Sequence, residues 1–411
     1  MKLRTLQFAL LVTGVIAVAG FSRDAAAKSA ALPACTASIG ACGLCVISKG
    51  GSYTVTADLN MTGVTAPDCI DISATKVNLR TNGHTITGVG SGVGINILKS
   101  GSNANVQLAD PSNPGVPSAI SNFTNGIEVQ GSGAIVNNFD VSNNNGDGLL
   151  IKGASNCFVI DFTSNKSPTG NGVTISGGSG CQIDAFTASG NAGYGLELTN
   201  AKSETLENFD ADDLSGTGNA LGGIALVSSS SNTLSNFGAD NNLATDIVLS
   251  NSSKNSLFMF SASGSLSSGI ALSGSSSNSI YDFVAFDNAV YGVWLQGSSS
   301  NSVRFAVAQG NAEAGVYLGC SPTAPGGGCA AKAKSSSKNT VTALQAGDDS
   351  GTTQSFGVAV DLGDLQNNLS GITATGDSTQ DLDDLNLPGC GTNVWFANAA
   401  TIPPSPSCTA P

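Results

Sequence analysis

Residues 269–292 read GIALSGSSSNSIYDFVAFDNAVYG, and the same frame recurs through the middle of the chain. Gly269 and Ile270 open it, Leu272 follows two places on, Asn278 and Ile280 come next, and Phe283 closes the apolar set. Working outward, the phenylalanine recurs as Phe139, Phe162, Phe186, Phe209, Phe237, Phe260 and Phe283, at intervals of 23, 24, 23, 28, 23 and 23 residues. The opening pair recurs from Gly126-Ile127 to Gly315-Val316, with Asp246-Ile247 filling one gap. Three residues before each Phe stands Val136, Val159, Ile183, Leu206, Leu234, Leu257 or Ile280. A period in the low twenties makes each repeat one supersecondary turn that cannot bury its own apolar face, so stacked neighbours must build the core.

Apolar residues two apart are the signature of a strand with one face inside. Three such columns per repeat, separated by Gly, Ser and Asn, predict three short strands per coil. No stretch has a helical apolar period, and β-branched residues with Gly and Ser dominate. The expected fold is all-β, a single-stranded parallel β-helix of roughly 12 coils about 4.8 Å apart, with the Phe residues stacked inside it. Asn232, Asn255, Asn278, Asn301 and Asn339 stand two residues before the aliphatic column. Asn tolerates a left-handed backbone and its amide can bond the Asn above and below, so they read as a structural ladder. Cys157 and Cys181 occupy the same column on earlier coils. Stacked α-carbons fall inside the disulfide window, so a coil-to-coil bridge and a pair of stacked thiols are both open.

The chain starts with Lys2 and Arg4, an apolar run from Leu6 to Phe21, and Ala25-Ala26-Ala27, the pattern of a secretory signal cut near Ala27. No later stretch is long and apolar enough for a transmembrane helix. All ten Cys follow that point, an even number in an exported chain, which favours disulfides. Cys320 with Cys329 and Cys390 with Cys408 are the local pairs, leaving Cys35, Cys42, Cys45 and Cys69 for the N-terminal end. Cys42-Gly-Leu-Cys45 has no second C-x-x-C and no nearby His, so it reads as structural rather than redox or metal-binding. Without residues 1–27 there remain 13 basic and 28 acidic residues, 13 − 28 = −15. That surface repels nucleic acid and anionic lipid, and disfavours a long acidic polysaccharide unless a cation bridges them. The resulting organisation is a signal peptide at 1–27, a disulfide-rich cap at 28–75, the β-helix at 76–375, and a disulfide-closed C-terminal cap at 376–411.

The segment from Lys76 through Asn82-Gly83-His84 to Gly88, after Gly51-Ser-Tyr53 and Cys69, resembles the opening coil of secreted bacterial right-handed β-helix proteins. The repeats from Gly126 to Leu344 are similar to the same broad group, with its NosD-type periplasmic proteins and, more distantly, pectate lyases and alginate epimerases. Cys390-Gly-Thr-Asn-Val-Trp395 through Cys408 resembles the C-terminal cap of members with no assigned activity. The resemblance implies a right-handed helix, a pectin-lyase-like fold, and a capping role for His84, the only histidine. It does not fix an activity, since this fold hosts lyases, hydrolases, epimerases and adhesins.

Catalytic signatures are thin. A β-eliminating lyase or epimerase needs a base and cations for the substrate carboxylate, yet no Lys, Arg and His cluster is visible. Tyr194-Gly-Leu-Glu and Tyr291-Gly-Val-Trp echo the epimerase motif without its Asp and His. Of the polygalacturonase motifs only Asp-Asp occurs, at Asp212-Asp213 and Asp348-Asp349. Asp381, Asp383 and Asp384 could hold Ca²⁺ through oxygen ligands, in no fixed loop pattern; no cofactor is otherwise expected.

The outward columns carry more. Ala271, Trp294 and Tyr317 succeed one another on the Gly-led strand, and Phe258, Tyr281 and Arg304 on the Asn-led strand. Aromatics stacked on a β-helix face make a platform for sugar rings, with Arg304 able to reach Tyr281 or a ligand oxygen. Insertions around Asp210 to Asn219 and at Ser321 to Gly328 add loops, the second beside Tyr317 between two cysteines. The expectation is a secreted or periplasmic, non-catalytic saccharide-binding or envelope-associated protein, with polysaccharide as partner. The alternatives are a carbohydrate-active enzyme (lyase, epimerase or hydrolase) and a structural adhesin-like stalk.

Overall fold

The computed structural model describes residues 33–402 apart from 44, 65, 108, 111–112, 213–217, 321–334, 348–353 and 387–388. The expected signal segment, Cys329, Cys408, Asp213, Asp348-Asp349 and the 321–328 insertion therefore lie outside the described residues. The chain forms a right-handed parallel β-helix. Fourteen parallel strands, from Val46–Ile47 to Gln380–Asp384, make one face, so the chain advances through about 13 turns. The sequence repeats count one fewer, because the first coils lack the Phe column and the Gly column begins only at Gly94. No helix among the described residues is long and apolar enough to cross a membrane.

Register follows the columns. Ile247 pairs with Ile270 and Leu249 with Leu272, then Ile270 with Val293 and Leu272 with Leu295. On the other faces Leu257 pairs with Ile280 and Phe260 with Phe283. The second and third strands of a coil form one continuous run, as at Ser279–Val284. A single left-handed residue bends that run. The corner falls on Asn138, Asp161, Ala185, Asn208, Asn236, Met259, Asp282, Phe305 and Ala343, each with φ between 51° and 56°. An L-residue there costs roughly 1–2 kcal/mol, least for Asn and Asp.

Inside, the seven Phe rings stack from Phe139 to Phe283 with centroids 4.6–4.9 Å apart and planes within 8°. The Asn ladder is present and longer than the sequence reading has it. Each Nδ2 donates to the Oδ1 of the next Asn at 3.0–3.2 Å from Asn232 to Asn367, and Asn367 continues it to Asn393. The left-handed corner falls one residue earlier than expected, on Ser231, Lys254, Ser277, Ser300 and Lys338. The Asn side chain must point inward to bond its neighbours, and an ordinary backbone at the Asn allows that.

A second buried ladder escaped the sequence reading. Asn191 donates to Asn219, Asn219 to Asn242 and Asn242 to Asp246, and Asn288 to Asn311 farther on. Its signal was there, because Asn144, Asn191, Asn219, Asn242, Asn288 and Asn311 each stand four residues before the start of the Gly-led strand. The cysteine question is settled toward bridges. Cys157–Cys181 spans adjacent coils with α-carbons 4.4 Å apart, while Cys35–Cys45 and Cys42–Cys69 tie the N-terminal end. The two cysteines of the C-x-x-C thus bond elsewhere, which removes a redox pair. Cys320 and Cys390 are disulfide-bonded as well.

Candidate functional site

The Asn-led strand places Phe258, Tyr281 and Arg304 in register on successive coils. Their side chains alternate with the buried Leu257, Ile280 and Val303, so they leave the core and stack along its outside. Phe258 and Tyr281 lie 5.0 Å apart with planes at 6°. The Arg304 guanidinium sits 4.8 Å over the Tyr281 ring and 5.9 Å from that of Phe305. All three side chains are half-buried, and Thr342 follows Arg304 in the column.

The adjoining corner column makes this stretch unlike the others. Met259 and Phe305 occupy the left-handed corner, with 50% and 58% of their surface exposed. The other corners between residues 138 and 343 carry Asn, Asp or Ala. Two large apolar residues therefore stand in a strained position with about half of their surface in water, against backbone preference. They flank the Phe258–Tyr281–Arg304 column, one on each side of the exposed Asp282, and widen it into a largely apolar, cation-tipped patch. Sequence reasoning found the column but missed Met259 and Phe305, because corner geometry cannot be read from strand alternation.

Trp294 and Tyr317 are register neighbours as expected, but they do not form an open platform. Tyr317 is 0% exposed, a correction to its expected place on the surface. Its hydroxyl donates to the Asp361 carboxylate, and its ring packs 4.7 Å from that of Tyr291. Trp294 is half-buried, tilted 5.7 Å from Tyr291, and donates from Nε1 to the Gly319 carbonyl at 2.8 Å. The physical reason is a second apolar cluster outside the coil: Tyr291, Ala314, Tyr317 and Ala359, covered by Val290, Trp294 and Phe356. Gly319 makes room for it, since a Cβ there would meet the Tyr317 ring at 2.1 Å. Outward on this strand does not mean exposed.

Acidic groups gather in two other places. On the Gly-led face the Asn171 amide donates to Glu197 at 2.7 Å and its backbone N–H donates to Asp147 at 2.9 Å. Burial pushes the Asp147 carboxyl up, and the nearby Glu197 and Glu128 add to the shift. A separate open groove of about 450 Å³ is lined by Asp210, Asp212, Asp240, Asn208, Asn236 and Ser261. There burial first, and Asp240 second, raises Asp210.

Of the three carboxylates considered for Ca²⁺, two have partners within the last coils. Asp381 accepts from Thr401 and Ile402, and Asp384 from Asn386, Asn393 and Trp395. Among the described residues no group of three or more His, Cys, Asp or Glu is arranged to hold a metal ion. His84 lies in the N-terminal coils with its Nδ1 3.4 Å from Asp58.

The family model described as "Right handed beta helix region" matches residues 118–218 and 171–341, together 118–341, or 224 of 411 residues. It is a broad fold family and does not single out the NosD-type proteins within it. No curated protein matches the chain. Among solved structures, the chain is similar to the Dettilon tailspike protein at 12% identity and a TM-score of 0.48, over 79% of this chain and 62% of that one. The chain thus spans less than two thirds of the tailspike's length. It is similar to the periplasmic alginate epimerase AlgG at 12% identity and 0.43, over 87% of this chain and 76% of that one. The Azotobacter vinelandii mannuronan C-5 epimerase A-module follows at 15% and 0.42, over 87% and 86%.

Proposed function

The chain belongs to the right-handed β-helix family, and on that scaffold we propose an exported, non-catalytic saccharide-binding protein whose ligand lies along Phe258, Tyr281 and Arg304. The carrying observation is the pair of corners at Met259 and Phe305. Large apolar groups held in a left-handed backbone and half in water cost the fold strain, whereas beside an aromatic column they enlarge a flat surface for sugar rings. Disulfides, three of them with both partners among the described residues, support an oxidising compartment outside the cytoplasm. A second reading, a carbohydrate-active enzyme, is favoured by one observation: the raised Asp147 beside Glu197 and Glu128 is the kind of carboxyl that could act as a general acid.

The test is a screen of the purified protein on polysaccharides with both binding and product detection. Binding without products, lost on Tyr281→Ala, supports the module. Turnover lost on Asp147→Asn selects the enzyme. Neither binding nor turnover leaves a structural stalk.

A further inference from the structure

Among the described residues the Arg304 side chain makes no hydrogen bond and no ion pair, and its Nε is buried without a partner. Among the described residues the contact of salt-bridge length is His84 Nδ1 with Asp58, at 3.4 Å. In a chain with 28 acidic and 13 basic residues after the expected cut, a half-buried arginine that takes no carboxylate is out of keeping with its surroundings. Its guanidinium is held between Tyr281 and Phe305, so the donor fork is oriented and its rotamer entropy is already reduced. The group that matches a fixed guanidinium fork is a carboxylate, bound by two parallel N–H donors.

The neighbours limit how many carboxylates the ligand can carry. One coil from Arg304 along the corner column stands Asp282, exposed, between Met259 and Phe305. Beyond Phe258 the outward column continues through Ser235 to Glu207. Coils are about 4.8 Å apart, well inside the Debye length of roughly 8 Å at physiological salt. A second acidic sugar beside the first would face Asp282 rather than a cation, and a polyanion would meet the net charge of the whole surface.

We infer that the ligand is a glycan of mainly neutral rings carrying a single isolated carboxylate, with that carboxylate on Arg304 and a neighbouring ring on Tyr281 and Phe258. This rests on the saccharide-binding reading and names the class of saccharide.

The experiment uses the full exported chain labelled with ¹⁵N-arginine, whose Arg304 Nε–H signal is the one lost in Arg304→Gln. Sodium glucuronate should move that signal and glucose should not. By calorimetry, xylotetraose bearing one glucuronate should bind about tenfold tighter than plain xylotetraose, the scale of one charge-assisted pair. Arg304→Gln should erase the difference, and oligogalacturonate should bind no tighter than the singly charged glycan.

A silent Arg304 signal in glucuronate, a preference that survives Arg304→Gln, or tightest binding by oligogalacturonate overturns the inference. Neutral glycan binding that is lost in Tyr281→Ala, with no preference for the acid, overturns the inference while the platform stands. A preference for the acid that Tyr281→Ala leaves untouched overturns the platform instead.

Discussion

The inner Phe column and the outer Phe258–Tyr281 pair stack almost identically, at 4.6–4.9 Å inside and 5.0 Å outside, with planes within 8° in both. Coil spacing imposes that geometry on any aromatic repeated in register, so stacking alone says nothing about function. The two stacks differ in what surrounds them. Rings of the inner column touch aliphatic neighbours and are closed off from water, whereas the outer pair is half-buried and bordered by exposed, strained Met259 and Phe305. The first is what holds the coils together, and the second is tolerated by them.

The sharpest way to separate them is truncation. Phe209→Ala removes a buried ring with a stacking partner on each side and should cost about 3–5 kcal/mol. Tyr281→Ala removes a half-buried ring and should cost about 1 kcal/mol. Urea unfolding of both variants checks this, and equal losses would erase the distinction.

Between those extremes stands the buried polar lattice. Asn278 accepts two hydrogen bonds from Asn255 and donates to Asn301 and the Ser252 carbonyl. Asn278→Leu strands several buried groups and should cost about 2–4 kcal/mol, the penalty for one or two unpaired partners. A loss below about 0.5 kcal/mol would mean that water replaces the ladder.

Carboxylates within this lattice give a pH test of inside against outside. Burial pushes Asp246 up to about 9, and Glu204 and Asp364 up to about 7. A buried oxygen of each lacks a partner. These folded-state values exceed the unfolded ones. The stability is therefore fully present below pH 4 and is lost as pH rises, by about 7 for Glu204 and Asp364 and by about 9 for Asp246. Each group can remove at most about 1.4 kcal/mol per pH unit over its window. Unfolding midpoints should fall between pH 5 and pH 9, and Asp246→Asn should flatten the upper part of that slope. Stability that rises across the same range would show that these groups are ionised and partnered in the folded state.

How much of this was legible is itself uneven. The Phe, Gly and Asn columns needed only counting, because a solenoid writes each ladder into the sequence at one period. The Cys157–Cys181 bridge was legible as a possibility, since stacking alone puts the α-carbons in range. The Trp294 face misled because alternation reports which side of a strand a residue takes and not what covers it. Tyr317 is outward and yet buried, since Tyr291 and Phe356, which open the strands on either side of its own, pack in the cluster around it. Trp294→Ala therefore belongs with partial packing mutants, at about 1–2 kcal/mol, and not with the silent surface changes that alternation predicts. Quenching of Trp294 fluorescence by an aqueous quencher should be partial.

The smallest effect in stability is the most telling for function. Asn is among the residues that best tolerate the left-handed backbone and already occupies this corner at 138, 208 and 236. Met259→Asn and Phe305→Asn should thus relieve strain and stabilise the coil by roughly 0.5–1 kcal/mol each. The same changes strip the apolar margin from the Phe258–Tyr281–Arg304 column and should weaken saccharide binding several-fold. Opposite signs in stability and binding are what a site maintained at the expense of the fold produces. If the Asn variants bind sugar as well as the parent and are more stable, the two corners have no part in recognition and the patch reduces to ordinary cross-strand stacking.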